Sequence, residues 1–306
     1  MKQDWMKKGF KRRLVGVLLT TALLGLSVVG CGASKEDTIT IGGKNFTEQN
    51  ILIYMMEDLI IDKTKLKVVT KPNLGGSLIV SQALDRGDLD IYAEYTGTAL
   101  TVHLKEAPMT DPDAVYQKVK QEYETQKKIT WLKPFGFNNT YTLAMTKAQA
   151  EKYGIKTFSD LVKQAPNMNL VCEPEFLERQ DGYKGLQAAY GLNFKTAKSM
   201  DIGLSYDAVR TGKADVNDSF ATDGRIAAFN LISLIDDKHF FPPYYAAPIV
   251  RDDTLKKHPE IADALNLLAG KLTDEEMQKL NAKVDVDKND PKAVASEWLK
   301  AQGLIK

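Results

Sequence analysis

Hydrophobic positions along the chain change period several times. Residues 14–29 (LVGVLLTTALLGLSVV) form a single apolar run, and from residue 38 onward the apolar positions fall into short blocks separated by turn residues. The block 38–41 (TITI) alternates polar and apolar, which predicts a strand. Thr47 is expected to cap a helix running to about residue 61, with Glu48 in its first turn. Residues 67–70 (KVVT) predict a second strand, Gly75, Gly76 and Ser77 open a helix that stops at Arg86 and Gly87, and residues 89–92 predict a third strand. Asp111 and Pro112 read as the cap and first residue of a helix reaching about residue 128. Thr146 and Gly154 bracket a short helix, residues 157–160 (TFSD) and 273–276 (TDEE) are capping boxes, and 181–191 and 205–212 predict two further helices. Asp290 and Pro291 start a last helix that Gly303 ends.

This alternation of strand and helix predicts an α/β fold with a mostly parallel sheet. The units are too many for one sheet, so two lobes are expected. The Gly/Asn-rich stretch 134–140 (PFGFNNT) and the Pro-rich stretch 238–245 (KHFFPPYY) are the predicted crossovers. They divide the chain into one lobe of residues 38–137 and 243–306 and a second lobe of residues 138–242. A chain that leaves a lobe and returns places two linkers side by side, and a ligand between lobes hinged in this way is enclosed when they close.

Charge adds a targeting signal. Six of the 41 basic residues and one of the 40 acidic ones lie within residues 1–30, ahead of or beside the apolar run. A basic start, an apolar stretch and a small residue before the cut predict a secretory signal peptide over residues 1–30. The run is shorter than the roughly 20 residues a spanning helix needs. Val28-Val29-Gly30-Cys31 resembles a bacterial lipobox, which implies cleavage before Cys31, acylation of its thiol and a tether at 31–37. The protein is then held by lipid on the outer face of the cell membrane, as Gram-positive-type lipoproteins are. The formal charge is +1 for the whole chain and falls to −4 without residues 1–30, which argues against nucleic-acid binding. Two cysteines build no disulfide framework, and Cys172, in the apolar stretch 169–172, reads as a small buried hydrophobe. Three histidines, with no HExxH or CxxC, predict no metal site. Nucleophile-elbow, phosphate-loop and dinucleotide-binding signatures are absent, so neither a cofactor nor catalytic residues are expected.

Aromatic residues cluster where strands should end. Tyr95 sits in 95–98 (YTGT), Tyr141 follows Asn138 and Asn139, Phe220 precedes a Gly-containing turn, and Tyr244 lies in the return crossover. Ligands of open α/β sheets bind at the carboxyl ends of strands. Taken singly, each ring is a core residue. As a set on two lobes, they offer electron-rich faces to a cation such as a quaternary ammonium.

The stretches 41–48 (IGGKNFTE), 73–77 (NLGGS), 95–98, 137–141 (FNNTY), 175–182 (EFLERQDG), 220–225 (FATDGR) and 241–244 (FPPY) together resemble the glycine betaine/carnitine/choline-binding lipoproteins of bacterial ABC importers, the Opu family. The resemblance covers nearly all of the chain after the signal. It implies a two-lobed, type II periplasmic-binding-protein fold and an ammonium cage of Tyr95, Tyr141, Phe220 and Tyr244, with Phe220 where many relatives carry Tyr. It also implies carboxylate contacts at Lys44 and Thr98. Lys44 departs from the Gln of some relatives: it suits an anion, or is a solvated surface lysine. Asn45, Gly76 and Ser77 are further candidates, the last two as backbone donors at a helix start, with a serine cap as the alternative for Ser77. Arg179 and Asp223 contact a longer ligand or lock the lobes. The implied partners are a separate permease and ATPase. With no anion expected in the cage, zwitterions should bind better than choline. The alternatives are a receptor for another betaine such as ergothioneine, a receptor for a polar amino acid, or a secreted two-lobed enzyme.

Overall fold

A computed structural model describes residues 38–306; the signal segment 1–30, Cys31 and the tether lie outside the described residues. Among these residues ten strands form two five-stranded sheets. The first has the order β2-β1-β3-β10-β4, built from β1 (Thr38–Gly42), β2 (Lys67–Lys71), β3 (Ile91–Tyr95), β4 (Ile129–Trp131) and, far along the chain, β10 (Ala246–Arg251). The second has the order β7-β6-β8-β5-β9, from β5 (Tyr141–Thr146), β6 (Asn169–Cys172), β7 (Thr196–Ser199), β8 (Val216–Phe220) and β9 (Leu231–Ser233). Each sheet is the floor of one lobe.

The sheets are mixed, which corrects the expectation of a mostly parallel sheet. β1 is parallel to β2 and β3, and β6 to β7 and β8, as βαβ units demand. β10 runs antiparallel to β3 and β4, and β5 antiparallel to β8 and β9. These two strands are the first that the chain lays down after each passage between lobes. They arrive by a crossover rather than over a helix, so the packing that enforces parallel βαβ pairing does not act on them. The two crossovers run side by side. Asn138 and Tyr245 form an antiparallel bridge, the Asn139 amide donates to the Tyr244 carbonyl at 3.1 Å, and the Tyr244 amide donates to Asn138 Oδ1 at 2.7 Å.

Local signals mostly act where they stand. Asp111, Thr146 and Asp290 accept hydrogen bonds from the first turns of their helices, and both capping boxes close reciprocally. The helix expected to reach residue 128 is α-helical over Pro112–Glu122 and finishes as a π turn over Tyr123–Lys127. Thr47 is not a cap. Phe46 takes that position with extended backbone, and the Thr47 hydroxyl donates to Asp285 Oδ1 at 2.5 Å instead. The third strand begins at Ile91 rather than Leu89, because the Asp88 amide is used in closing the preceding helix and the Asp90 amide bonds Thr40. The helix placed at 205–212 starts at Ile202, capped by Asp201, and the one placed at 181–191 starts at Tyr183.

The core of the first lobe gathers Ile39, Ile41, Leu52, Met55, Met56, Leu59 and Ile60 with Met277, Leu280, Val294 and Leu299 of the C-terminal helices. Helix Thr47–Lys63 is thus wedged between β1 and the helices Asp274–Asp285 and Pro291–Ala301, which fixes its N-terminus at the edge of the interlobe cleft. Cys172 is buried at the end of β6, and burial pushes its thiol pKa up, away from reactivity. Thr273→Ala, which opens a complete capping box, should lower the unfolding free energy by about 1 kcal/mol and the melting temperature by roughly 2–4 °C. Calorimetry of the variant against the wild type measures both.

Candidate functional site

β3, β5 and β8 end at the cleft between the lobes, and each ends in or begins with an aromatic residue. Tyr95 closes β3, Phe220 closes β8, and Tyr141 opens β5 directly opposite Phe220 in the antiparallel register. Tyr244 reaches the same place from the return crossover. The Tyr141 ring lies 4.8 Å from Phe220 and 5.5 Å from Tyr244, at 87° to the latter. Phe46 completes the ring of faces, 6.1 Å from Tyr95 and stacked on Phe220 at 6.3 Å. These rings line a cavity of about 350 Å³. Its wall also includes Lys44, Asn45, Gly76, Ser77, Thr98 and Arg179, so ten of the eleven cleft residues expected from sequence meet there.

The three tyrosine hydroxyls share one chemistry. Tyr95 donates to Glu48 Oε1 at 2.7 Å, Tyr141 to Glu173 Oε1 at 2.5 Å, and Tyr244 to Asp181 Oδ2 at 2.6 Å. Burial, together with these carboxylates, pushes all three phenols well above their usual pKa, so they stay neutral donors. Arg179 holds Asp181 ionised, and a phenol that donates to an anion carries more electron density on its ring face, which favours a cation over Tyr244. Phe220 has no such handle and is held by packing.

Lys44 is not a solvated surface lysine. It is 3% exposed and donates to Glu94 Oε1 at 2.6 Å, with its ammonium 5.0 Å from the Tyr95 ring centroid. Glu94 also accepts from the Tyr92 hydroxyl at 2.8 Å and the Tyr95 amide at 2.7 Å, and lies 3.1 Å from His103. Burial works to raise the Glu94 pKa, but Lys44 and His103 overcome it and hold the carboxyl well below its usual range. The lysine charge is therefore neutralised within the wall. Arg179 is equally committed. It donates to Asp181 at 2.9 and 2.6 Å and to Thr98 Oγ1 at 3.2 Å, and its guanidinium stands 5.4 Å over the Tyr141 ring.

Ser77 is not a helix cap either. Gly76 holds that position, and the Ser77 amide and hydroxyl donate to Glu175 at 2.6 and 2.9 Å. A Cβ on Gly76 would stand 2.0 Å from Glu175 Oε1 and would push that carboxylate off the Ser77 amide. Asp223 is the candidate that stays outside the cavity. It pairs with Arg225 at 2.6 Å, and Arg225 reaches Asp285 on a first-lobe helix at 3.3 Å, which makes the pair a tie between lobes.

Sequence reasoning missed Phe46, Asn139, Glu173 and Glu175. Phe46 and Asn139 sit inside motifs already singled out, one and two residues from chosen positions. The two glutamates put carboxyl groups in the cavity wall, where the sequence led to the expectation of none. Their signal was a turn, 173–175 (EPE), after an apolar strand, the position where open α/β sheets place ligand contacts. Burial and then Glu175 raise the Glu173 pKa, with the Tyr141 hydroxyl acting against them.

Aromatic faces enclosed between two α/β lobes on paired crossovers define a solute receptor of the periplasmic-binding class. Residues 37–301 match the model of the substrate-binding domain of ABC-type glycine betaine transport systems, and the chain belongs to that family. It is 41% identical over 298 residues to a carnitine transport binding protein, OpuCC, of Listeria monocytogenes, covering 96% of this chain and 97% of that one. It is 38% identical over 289 residues to an ergothioneine transport permease/binding protein of Helicobacter pylori, covering 94% of this chain and 51% of that protein. The crystal structure of a glycine betaine/carnitine/choline ABC transporter aligns with a TM-score of 0.73 at 39% identity, covering 88% of this chain and all of the other.

Removing Lys44 should expose the cost of the charge it neutralises. Lys44→Met leaves Glu94 buried without its ammonium and is expected to destabilise the protein by about 3 kcal/mol at neutral pH. A carboxylate with a depressed pKa contributes stability above its unfolded pKa and loses it as pH falls. The deficit of the variant should therefore hold from pH 7 down to about pH 4.5 and shrink as pH falls further, as measured by denaturant unfolding from pH 7 to about pH 3.

Proposed function

We propose that this substrate-binding protein captures a quaternary-ammonium solute, such as glycine betaine, carnitine or choline, and does no chemistry on it. The observation that carries the reading is the set of five ring faces around one cavity, three of them on tyrosines whose hydroxyls donate to carboxylates. A trimethylammonium group has no hydrogen-bond donors, and π faces are what attract it. Tyr95, Tyr141, Phe220 and Tyr244 form the cage, with Phe46 as a fifth wall. A carboxylate on the ligand would find Thr98 and the Arg179 guanidinium, with the amides at Gly76 and Ser77 beyond Glu175. Lys44 acts on the ligand through Glu94 and Tyr95 rather than as a free cation. Glu173, bonded to Tyr141, would stand beside an ammonium held in the cage, which weakens the argument against choline. Glu173 is also an acceptor for a ligand N–H, the one feature that favours a betaine with a donor-bearing ring, such as ergothioneine.

The lobes are taken as 38–137 with 243–306, and 138–242, hinged at the bridged crossovers. Binding proteins of this family serve an importer's permease and ATPase, and this chain is read as delivering its ligand to such a pair. No helix among the described residues is long and apolar enough to cross a membrane. A signal cut before an acylated Cys31 would hold the protein at the outer face of the cell membrane. Cys31→Ala should then move it from the membrane fraction to the medium or leave it unprocessed, as fractionation and immunoblotting would reveal. An unchanged membrane fraction would refute the anchor.

The cage is tested by calorimetric titration of glycine betaine, carnitine, choline and ergothioneine into the wild type and the Tyr95→Leu, Tyr141→Leu, Phe220→Leu and Tyr244→Leu variants. Leucine retains apolar area and removes the π face. Each loss should cost about 0.5–2 kcal/mol, a few-fold to thirty-fold in Kd. Unchanged affinity in all four variants would place the ligand elsewhere.

A further inference from the structure

We propose that Glu48 is a positioning residue that couples the setting of the cage to closure of the lobes, holding Tyr95 with one carboxylate oxygen and clasping the second lobe through Thr222 with the other. Four side chains from four separate parts of the chain converge on it. Oε1 accepts from the Tyr95 hydroxyl at 2.7 Å and from Asn139 Nδ2, in the first crossover, at 2.9 Å. Oε2 accepts from Thr222 Oγ1, in the second lobe, at 2.6 Å and from Asn281 Nδ2, on helix Asp274–Asp285, at 3.2 Å. Thr222 stands two residues beyond Phe220, so the same carboxylate anchors the strand ends that carry two cage rings. Asn281 also donates to the Thr222 carbonyl at 2.9 Å, which doubles the grip on that turn.

Every one of these donors is neutral, and the carboxylate is 2% exposed. The charged groups around it are engaged elsewhere. Beyond Tyr95, Lys44 is paired with Glu94 next to His103. Beside Thr222 and Thr47, Arg225 is held by Asp223 and Asp285. Across the rings lie Glu173, Glu175 and Arg179. A buried carboxylate lacking a cation is costly to ionise, and burial raises the Glu48 pKa to about 7 against its four donors, Thr222 foremost. Separating the lobes removes Thr222, and a cavity of about 20 Å³ bordered by Glu48, Phe46, Asn139, Phe220 and Thr222 opens to water. In the separated state the group returns toward an ordinary carboxyl pKa, so closure takes up a proton between roughly pH 4.5 and 7. Closure, and with it ligand affinity, is favoured as pH falls through 7, and the advantage is lost above it.

The inference rests on the quaternary-ammonium reading for its ligand and on the described conformer for its geometry, and the test separates the two. Glycine betaine, carnitine and choline are titrated into the wild type, Glu48→Gln and Thr222→Val at pH 6 and pH 8. Ligand-free thermal unfolding of the same proteins is followed at both pH values. The wild type should bind about tenfold more tightly at pH 6 than at pH 8, the change expected for one group moving from about 4.5 to about 7. Glu48→Gln should lose that dependence while remaining folded. Thr222→Val should bind several-fold more weakly and shift the midpoint above that of the wild type, since the hydroxyl that best stabilises the anion is gone. If none of the solutes binds the wild type, the ligand reading fails, and the latch is judged by melting alone. It then requires a gain in stability from pH 8 to pH 6 that Glu48→Gln lacks. The same pH dependence in the wild type and Glu48→Gln, in binding or, failing any ligand, in melting, would overturn the proposal.

Discussion

The hydrogen bond from a buried tyrosine to a buried carboxylate is the interaction on which the cleft depends. It occurs three times, at Tyr95–Glu48, Tyr141–Glu173 and Tyr244–Asp181. In each case it settles two problems at once. The carboxylate gains a strong donor in a place where water is scarce, and the ring is fixed in orientation as well as position. An aromatic ring held only by packing can rotate or slide. A ring tethered at its hydroxyl presents a defined face. Phe220 shows the alternative: without a hydroxyl it is steadied by Tyr141 on one side and by the parallel face of Phe46 on the other.

Two of these carboxylates, Glu48 and Asp181, also tie the lobes together. Asp181 belongs to the second lobe, yet it accepts from Tyr244 of the return crossover and from Thr101 of the first lobe. Its partner Arg179 reaches Thr98, and Glu175 reaches across to Ser77. Against the desolvation that burial brings, Arg179 keeps the Asp181 pKa low, so this junction stays charged where Glu48 sits near neutrality. Ring placement and lobe contact are therefore written in one network, and a change at either end is felt at the other.

Much of this was legible in the sequence, for reasons specific to particular residues. Capping boxes at Thr157 and Thr273 and caps at Asp111, Thr146 and Asp290 act through neighbours two or three residues away, so local reading finds them. Tyr95, Tyr141, Phe220 and Tyr244 of the cavity wall were visible because they stand at strand ends beside glycine, asparagine or proline. What failed was nonlocal. Thr47 looks like a cap, but Asp285, 238 positions on, claims its hydroxyl. Lys44 looks exposed until Glu94 is placed beside it by the pairing of β1 with β3. The antiparallel strands β5 and β10 follow from the crossovers, and nothing in their own periodicity reveals direction. Glu173 and Glu175 escaped notice because a charged turn is ordinary until rings are seen to face it.

Gly224, in the second lobe, rests so close to Ala282 of the first that an added Cβ would stand 2.5 Å from the alanine methyl. Gly224 has an ordinary backbone conformation, so its restriction comes wholly from the neighbour across the gap. Both residues lie outside the cavity wall. This contact, unlike the Glu175–Ser77 and Arg179–Thr98 bridges, therefore limits how far the lobes come together without facing the solute. A mechanical stop of this kind is indifferent to the solute: it caps the depth of engagement at one value, whichever molecule the rings enclose.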